Sequence, residues 1–110
     1  MQKYIKFYCT LYAADMTVSA TNVSAVDMAT AGTVKIWYHD GGSATLTLSD
    51  NMTANDISAS NFFADQIIAA QETSWTNVVR ETGITSTSQA IPGVTDAASA
   101  AVTITSVAIA

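Results

Sequence analysis

A small, mainly β domain with a single helix is the fold class this sequence predicts, on three observations. Apolar residues alternate with a period of two in KYIKFYCTLY, in TVKIWYHDGGSATLTL and in VTITSVAIA, the pattern of strands with one buried face. One stretch, about residues 53–73, takes a helical period instead. The chain has 110 residues, the size of one domain, enough to bury roughly two thirds of its extended surface around a single core.

In the first run Ile5, Phe7, Cys9 and Leu11 fall on one side, and Tyr4, Lys6, Tyr8, Thr10 and Tyr12 on the other. The segment AADMTVSATNVSAVDMATAG follows, in which Val18–Ala20 and Val23–Met28 can each extend as short edge strands. TVKIWYH, DGG and SATLTL then form a hairpin around a glycine-containing turn. Val34, Ile36 and Tyr38 share its core face with Leu46 and Leu48, and Lys35, Trp37 and His39 lie opposite. For the helix, Thr53 and Asp56 supply the capping arrangement. Ile57, Phe63, Ala64, Ile67 and Ile68 form its apolar stripe, and Phe62 lies off it, either along the sheet edge or as a contact with a neighbouring subunit. Residues 74–81, SWTNVVRE, read as a further strand, and about 85–100 as a flexible loop turning at Pro92 and Gly93. In the last strand Val102 and Ile104 occupy one phase, Val107 and Ile109 the other, so a bulge or bend near Ser106 is expected. The helix packs on a curved sheet or barrel end.

Composition bounds the function. Charged residues make up 12% and hydrophobic ones 49%, against roughly 25% charged in an average domain. A surface so poor in charge leans towards coverage by copies of itself. The formal net charge of −5 argues against broad attraction to a phosphate backbone, which needs clustered Lys and Arg. Only Lys3, Lys6, Lys35 and Arg80 are positive, all in strand-like segments. The acids Asp15, Asp27, Asp40, Asp50, Asp56, Asp65, Glu72 and Asp96 are read mostly in turns or on the helix, with Glu81 at a strand end. The single cysteine, Cys9, cannot form an internal disulfide and reads as a small buried hydrophobe. No signal-peptide pattern and no run of about 18 apolar residues is seen, so a soluble, unexported protein without membrane contact is expected.

Catalytic chemistry finds little support, and no enzyme, metal site or cofactor is expected. His39, Asp40 and Ser43 are adjacent in a strand and turn, where neighbouring side chains diverge, unlike a nucleophile, base and orienter. One Cys and one His make no usual zinc set. Gly41 and Gly42 lack the surrounding pattern of a phosphate-binding loop, and capping explains Asp50 and Asp56.

The aromatic and basic residues hold more promise. If their strands pair side by side, Tyr4, Lys6 and Tyr8 share a face with Lys35, Trp37 and His39, and Arg80 joins them. Such a surface is a platform on which single-stranded bases stack, at roughly 1–3 kcal/mol each. The same rings suit a subunit interface or packing beneath the helix.

The runs KYIKF, TVKIWYHDGG and WTNVVRE together resemble a family of short proteins from ocean metagenomes, of cyanophage origin, whose fold is similar to Sm and LSm proteins. The resemblance implies a bent five-stranded, SH3-type barrel that assembles by strand-edge pairing into a homo-oligomeric ring. YHDGGSATLTL looks like an Sm first motif through Asp40, Leu46 and Leu48, with Ser43 and Ala44 where an RNA-contacting asparagine is expected. Val78, Val79 and Arg80 match the second motif, but Glu81 replaces its glycine. The helix lies between the motifs, whereas Sm proteins carry theirs before the first strand. The leading expectation is an Sm-like ring binding single-stranded RNA or DNA through Tyr4, Lys6, Tyr8, Lys35, Trp37, His39, Asp40 and Arg80, with Tyr12 and Phe62 at the subunit interface. The alternative is a phage virion or assembly protein that binds no nucleic acid. Either would reside in the infected host cytoplasm or in the virion.

Overall fold

The computed structural model describes residues 2–72 and 78–110. Strand β1 (Tyr4–Cys9) fully buries Ile5, Phe7 and Cys9 and leaves Tyr4, Lys6 and Tyr8 half-buried. The alternation expected of a strand with one core face is therefore present. It stops at Cys9: residues 10–13 form a turn with Ala13 at φ 49°, so Leu11 leaves the buried row and is 67% exposed.

Two sheets enclose the core. The first has the order β2 (Ala14–Ser19), β1, β6 (Val79–Glu81). β2 pairs antiparallel with β1 in unbroken register, and β6 pairs with β1 in parallel. The second sheet is five-stranded, antiparallel and strongly curled into a half-barrel. Its order is β3 (Val23–Thr30), β4 (Thr33–Tyr38), β5 (Ser43–Leu48), β8 (Ala101–Ile109), β7 (Ala90–Thr95). Hydrogen bonds from the Thr10 and Leu11 amides to the Ile104 and Thr105 carbonyls stitch the end of β1 to β8. The Tyr38 hydroxyl donates to the Ser19 carbonyl at 2.7 Å, tying β4 to β2.

Helix α1 (Ser58–Glu72) covers the core between the sheets, meeting β1, β3, β6 and β7. It begins five residues beyond Thr53. Asp56, not Thr53, caps it: Asp56 Oδ1 accepts from the Ser58 amide at 3.0 Å, and Asp56 N–H donates to the Thr53 carbonyl. The bond from the Ser58 amide holds the Asp56 carboxyl below its usual range. The buried face also differs from the expected stripe. Ala59, Ser60, Phe63, Ile67 and Ala70 face the core, while Ile57 and Ile68 are more than half exposed. Small residues at 59, 60 and 70 flank Phe63 and Ile67 on the buried face, and the contact settles on this set rather than on Ile57 and Ile68.

Two further segments differ from expectation. The stretch read as a flexible loop, 85–100, contains β7, an edge strand with a register shift between Ala90 and Thr95 that accommodates Pro92 and Gly93. Proline is tolerated there because an edge strand can lack an outward donor. Asp96 then closes the β7–β8 turn, its Oδ1 accepting from the Ala98 and Ala100 amides at 2.9 Å. Of the strand read over 74–81, residues 74–77 lie outside the described residues and Val79–Glu81 are strand.

The expected break in the last strand is present. Thr47 pairs with Ser106 and Leu48 with Ile104, leaving Thr105 as an extra residue. Val102 and Ile104 are fully buried on one side of it, and Val107 packs half-buried opposite Leu46 on the other.

Cys9 is completely buried, and burial pushes its thiol up to about 11. The neutral thiol is the native form, so this contribution to stability is full below the ordinary thiol range and fades as pH rises through about 11. A disulfide reagent at pH 8 is expected to modify Cys9 at the rate of global unfolding. Fast modification of the native protein would contradict the packing of β1.

Candidate functional site

The residues expected to form one platform lie on two separate surfaces. β1 pairs with β2 and β6, and β4 with β3 and β5, so the Tyr4, Lys6 and Tyr8 row and the Lys35 and Trp37 row never become neighbouring strands. Their side-by-side pairing, on which the single platform depended, is absent.

On the outer face of the first sheet, register places Ser19 beside Tyr4, Thr17 beside Lys6 and Asp15 beside Tyr8. From β6, Val79 stands beside Tyr4 and Glu81 beside Lys6. Tyr8 packs against the core edge. Lys6 Nζ lies 2.9 Å from Glu81 Oε1. That bond first, then the charges of Glu81 and Asp15, raises the Lys6 ammonium above its usual range. The sign follows: the ion pair's contribution is present below the ordinary lysine range and is lost as pH rises through the raised value.

Arg80 does not join this face. In the parallel pairing it stands beside Ile5, which points inward. Its Nε donates to Gln66 Oε1 on α1 at 3.1 Å. The cation expected on the platform is a tie between β6 and the helix.

The second surface is the outer face of the half-barrel. Lys35 Nζ sits 4.1 Å from the centroid of the Trp37 ring, within cation–π range. Across the strand pair Lys35 faces Asp27, and Trp37 Nε1 points to Asp27 Oδ1 at 3.4 Å, a weak bond. Thr45 lies on the other side of Lys35. His39 and Asp40 are exposed beyond the end of β4. Asp40 Oδ1 accepts from the Gly42 amide at 2.8 Å and shapes the hairpin turn, where Gly41 has φ 93°. Positive φ is open to glycine at little cost.

Sequence reasoning missed the counter-charges. Asp15 and Asp27 are on strands β2 and β3, not in turns, and each stands close to an outward lysine. Alternation within VSAVDMAT would have placed Asp27 on the same side as Ala25, and hence outward. With Glu81 beside Lys6, both outward lysines are matched by acids, so neither face carries a basic strip.

Tyr12 and Phe62 have different fates. Tyr12 is 45% exposed, and its hydroxyl donates to the Val107 carbonyl at 3.3 Å. It stands beside Leu11 in the turn, and Ile109, 70% exposed, lies two residues beyond Val107 on β8. Phe62 is half-buried and meets Phe63 edge-on at 5.2 Å, so most of its ring is used within its own chain.

Among the described residues no cluster of His, Cys, Asp or Glu converges as a metal-binding group, and no helix is long and apolar enough to cross a membrane. Asp50 Oδ1 accepts from the Asn51 amide at 2.7 Å, so this carboxylate, like that of Asp56, is turned onto its own backbone. The shallow groove between β3 and α1, of about 220 Å³, is lined by Val23, Val26, Ala64 and Ile68 among others. No protein-family model, no curated protein and no solved structure matches this chain.

Proposed function

We propose that this chain is a self-assembling structural subunit, a homo-oligomer of the Sm-like, phage-borne kind that its motifs resemble, working through protein contacts. The observation that carries the reading is the distribution of exposed apolar side chains. Leu11, Tyr12 and Ile109 gather around the β1–β2 turn and the end of β8, and Val78 and Val79 are also open to solvent. In a chain with only 12% charged residues, such surface is stabilised when a second copy covers it. A closed ring would further require a head-to-tail contact, in which one patch meets a different one on the next copy. Light scattering tests the reading: a mass above one chain of 11.5 kDa supports it, and a monomer at high concentration removes it.

A second reading, single-stranded RNA or DNA binding, is favoured by one observation, the stacked Lys35 and Trp37 on the open face of the half-barrel. Aromatic–base stacking needs such a ring, but the phosphate contacts need cations that Asp27 and Glu81 here offset. The prediction is weak or undetectable fluorescence anisotropy with labelled oligonucleotides at low salt. Tight, salt-sensitive binding lost in Trp37→Ala with Lys35→Ala would reverse the order of the two readings.

A further inference from the structure

We propose that the outer edge of β2 is the contact by which two copies join, as an antiparallel β2–β2 pair about a two-fold axis at Met16. The proposal rests on the reading of the chain as a self-assembling subunit and adds a backbone contact at β2 to the exposed apolar side chains that carry that reading.

Sheet edges are hazards that proteins usually block, and among the described residues three of the four edges are blocked or cut short. β7 carries Pro92 and a register shift. β3 is interrupted twice, between Val23 and Ala25 and between Asp27 and Thr30. β6 is three residues long. β2 differs from all of these. Its six residues keep continuous register with β1, contain no proline and no lysine, and among the described residues pair with no strand but β1.

The backbone phase of that edge is fixed by its neighbours. The Ala20 amide donates to the Lys3 carbonyl across the sheet, so residues 14, 16 and 18 turn their backbone groups towards β1. Asp15, Thr17 and Ser19 turn theirs outward. Tyr38 occupies the Ser19 carbonyl. The N–H and C=O groups of Asp15 and Thr17 remain, with no partner on that side among the described residues.

This remaining set complements itself. With Met16 on the axis, Asp15 of one copy stands opposite Thr17 of the other, and each N–H meets a C=O. The side-chain pairs agree. The Asp15 carboxylate faces a threonine hydroxyl and not a second acid, Ala14 lies opposite Val18, and Met16 meets its own copy on the inner face. Two three-stranded sheets thereby become one continuous sheet.

Proline substitution tests the edge without disturbing the fold. Thr17→Pro or Asp15→Pro removes an outward N–H and no bond to β1. The wild-type protein is expected to show a mass of an even number of 11.5 kDa chains, and each variant to halve it with an unchanged far-UV circular dichroism spectrum. Amide exchange of the wild type provides a readout that needs no variant: the Asp15 and Thr17 amides should be protected in the assembly and lose protection on dilution. An assembly whose mass survives both prolines, or whose Asp15 and Thr17 amides exchange freely, overturns the β2 contact and leaves self-assembly standing. A wild-type monomer overturns both.

Discussion

Phe63→Ala is expected to lower the free energy of unfolding by about 3–5 kcal/mol. Phe63 is fully buried on α1 and meets Phe7 of β1 edge-on at 5.8 Å and 72°. It also meets Phe62 at 5.2 Å and 87°. One ring thus joins the helix to the central strand of the first sheet. Truncation removes the transfer free energy of the ring and leaves a void, which Ala59, one turn before it on the same face, is too small to fill. Edge-on aromatic pairs add roughly 0.5–1.5 kcal/mol beyond the area they bury. Against a total stability of about 5–15 kcal/mol for a domain, this single change removes a large share. Urea denaturation should show a lower midpoint with an unchanged slope. Ile68→Ala on the exposed side of the same helix should change stability by about 0.5 kcal/mol or less. Equal losses for the two variants would mean that the helix presents a different face to the core.

The contrast between these isoleucine and phenylalanine positions shows what could be read before the fold was known. Strands β1, β4 and β5 were legible because one face of each is sealed, and a period of two then appears without ambiguity at Ile5, Phe7, Cys9, Val34, Ile36, Leu46 and Leu48. The helix was legible as a helix but not in its orientation. Ile57 and Ile68 carry the strongest apolar signal, yet the contact settles on Ala59, Ser60, Phe63, Ile67 and Ala70. β7 was hidden because Pro92 and Gly93 are turn residues by local preference, and only an irregular edge strand admits both.

The candidate site was legible residue by residue but not as a surface. Which residues share a face follows from which strands pair, and that is decided by topology. The parallel pairing of β6 with β1 places Arg80 beside Ile5 on the inner face and Glu81 beside Lys6 on the outer. No local pattern in VVRE announces this. The separation of β1 and β4 into different sheets likewise divides Tyr4, Lys6 and Tyr8 from Lys35 and Trp37. The charge balance follows from the same pairing, since Asp27 meets Lys35 only because β3 runs antiparallel beside β4.

Deleting Thr105 is expected to cost about 2 kcal/mol, more than changing its side chain. Thr105 is the extra residue between Ile104, opposite Leu48, and Ser106, opposite Thr47, so that Val102 and Ile104 before it and Val107 after it lie on the one face that Leu46 and Leu48 share. Without it the two phases merge into a single alternation of Val102, Ile104, Val107 and Ile109, and β8 keeps both its register with β5 and its buried face. What the strand loses is the bulge itself: the local bend and added twist, and the Thr105 carbonyl that accepts from the Leu11 amide at 3.0 Å. That bond is worth about 1 kcal/mol, and straightening β8 also draws the Ile104 carbonyl away from the Thr10 amide, the other bond that stitches β1 to β8. Thr105→Ala keeps the bulge and the carbonyl, and should cost less than about 1 kcal/mol. Denaturation midpoints of the two variants decide the matter: equal losses would mean that the bulge backbone contributes nothing beyond its side chain, and a larger loss on deletion means that the bend and its carbonyls hold β1 to β8.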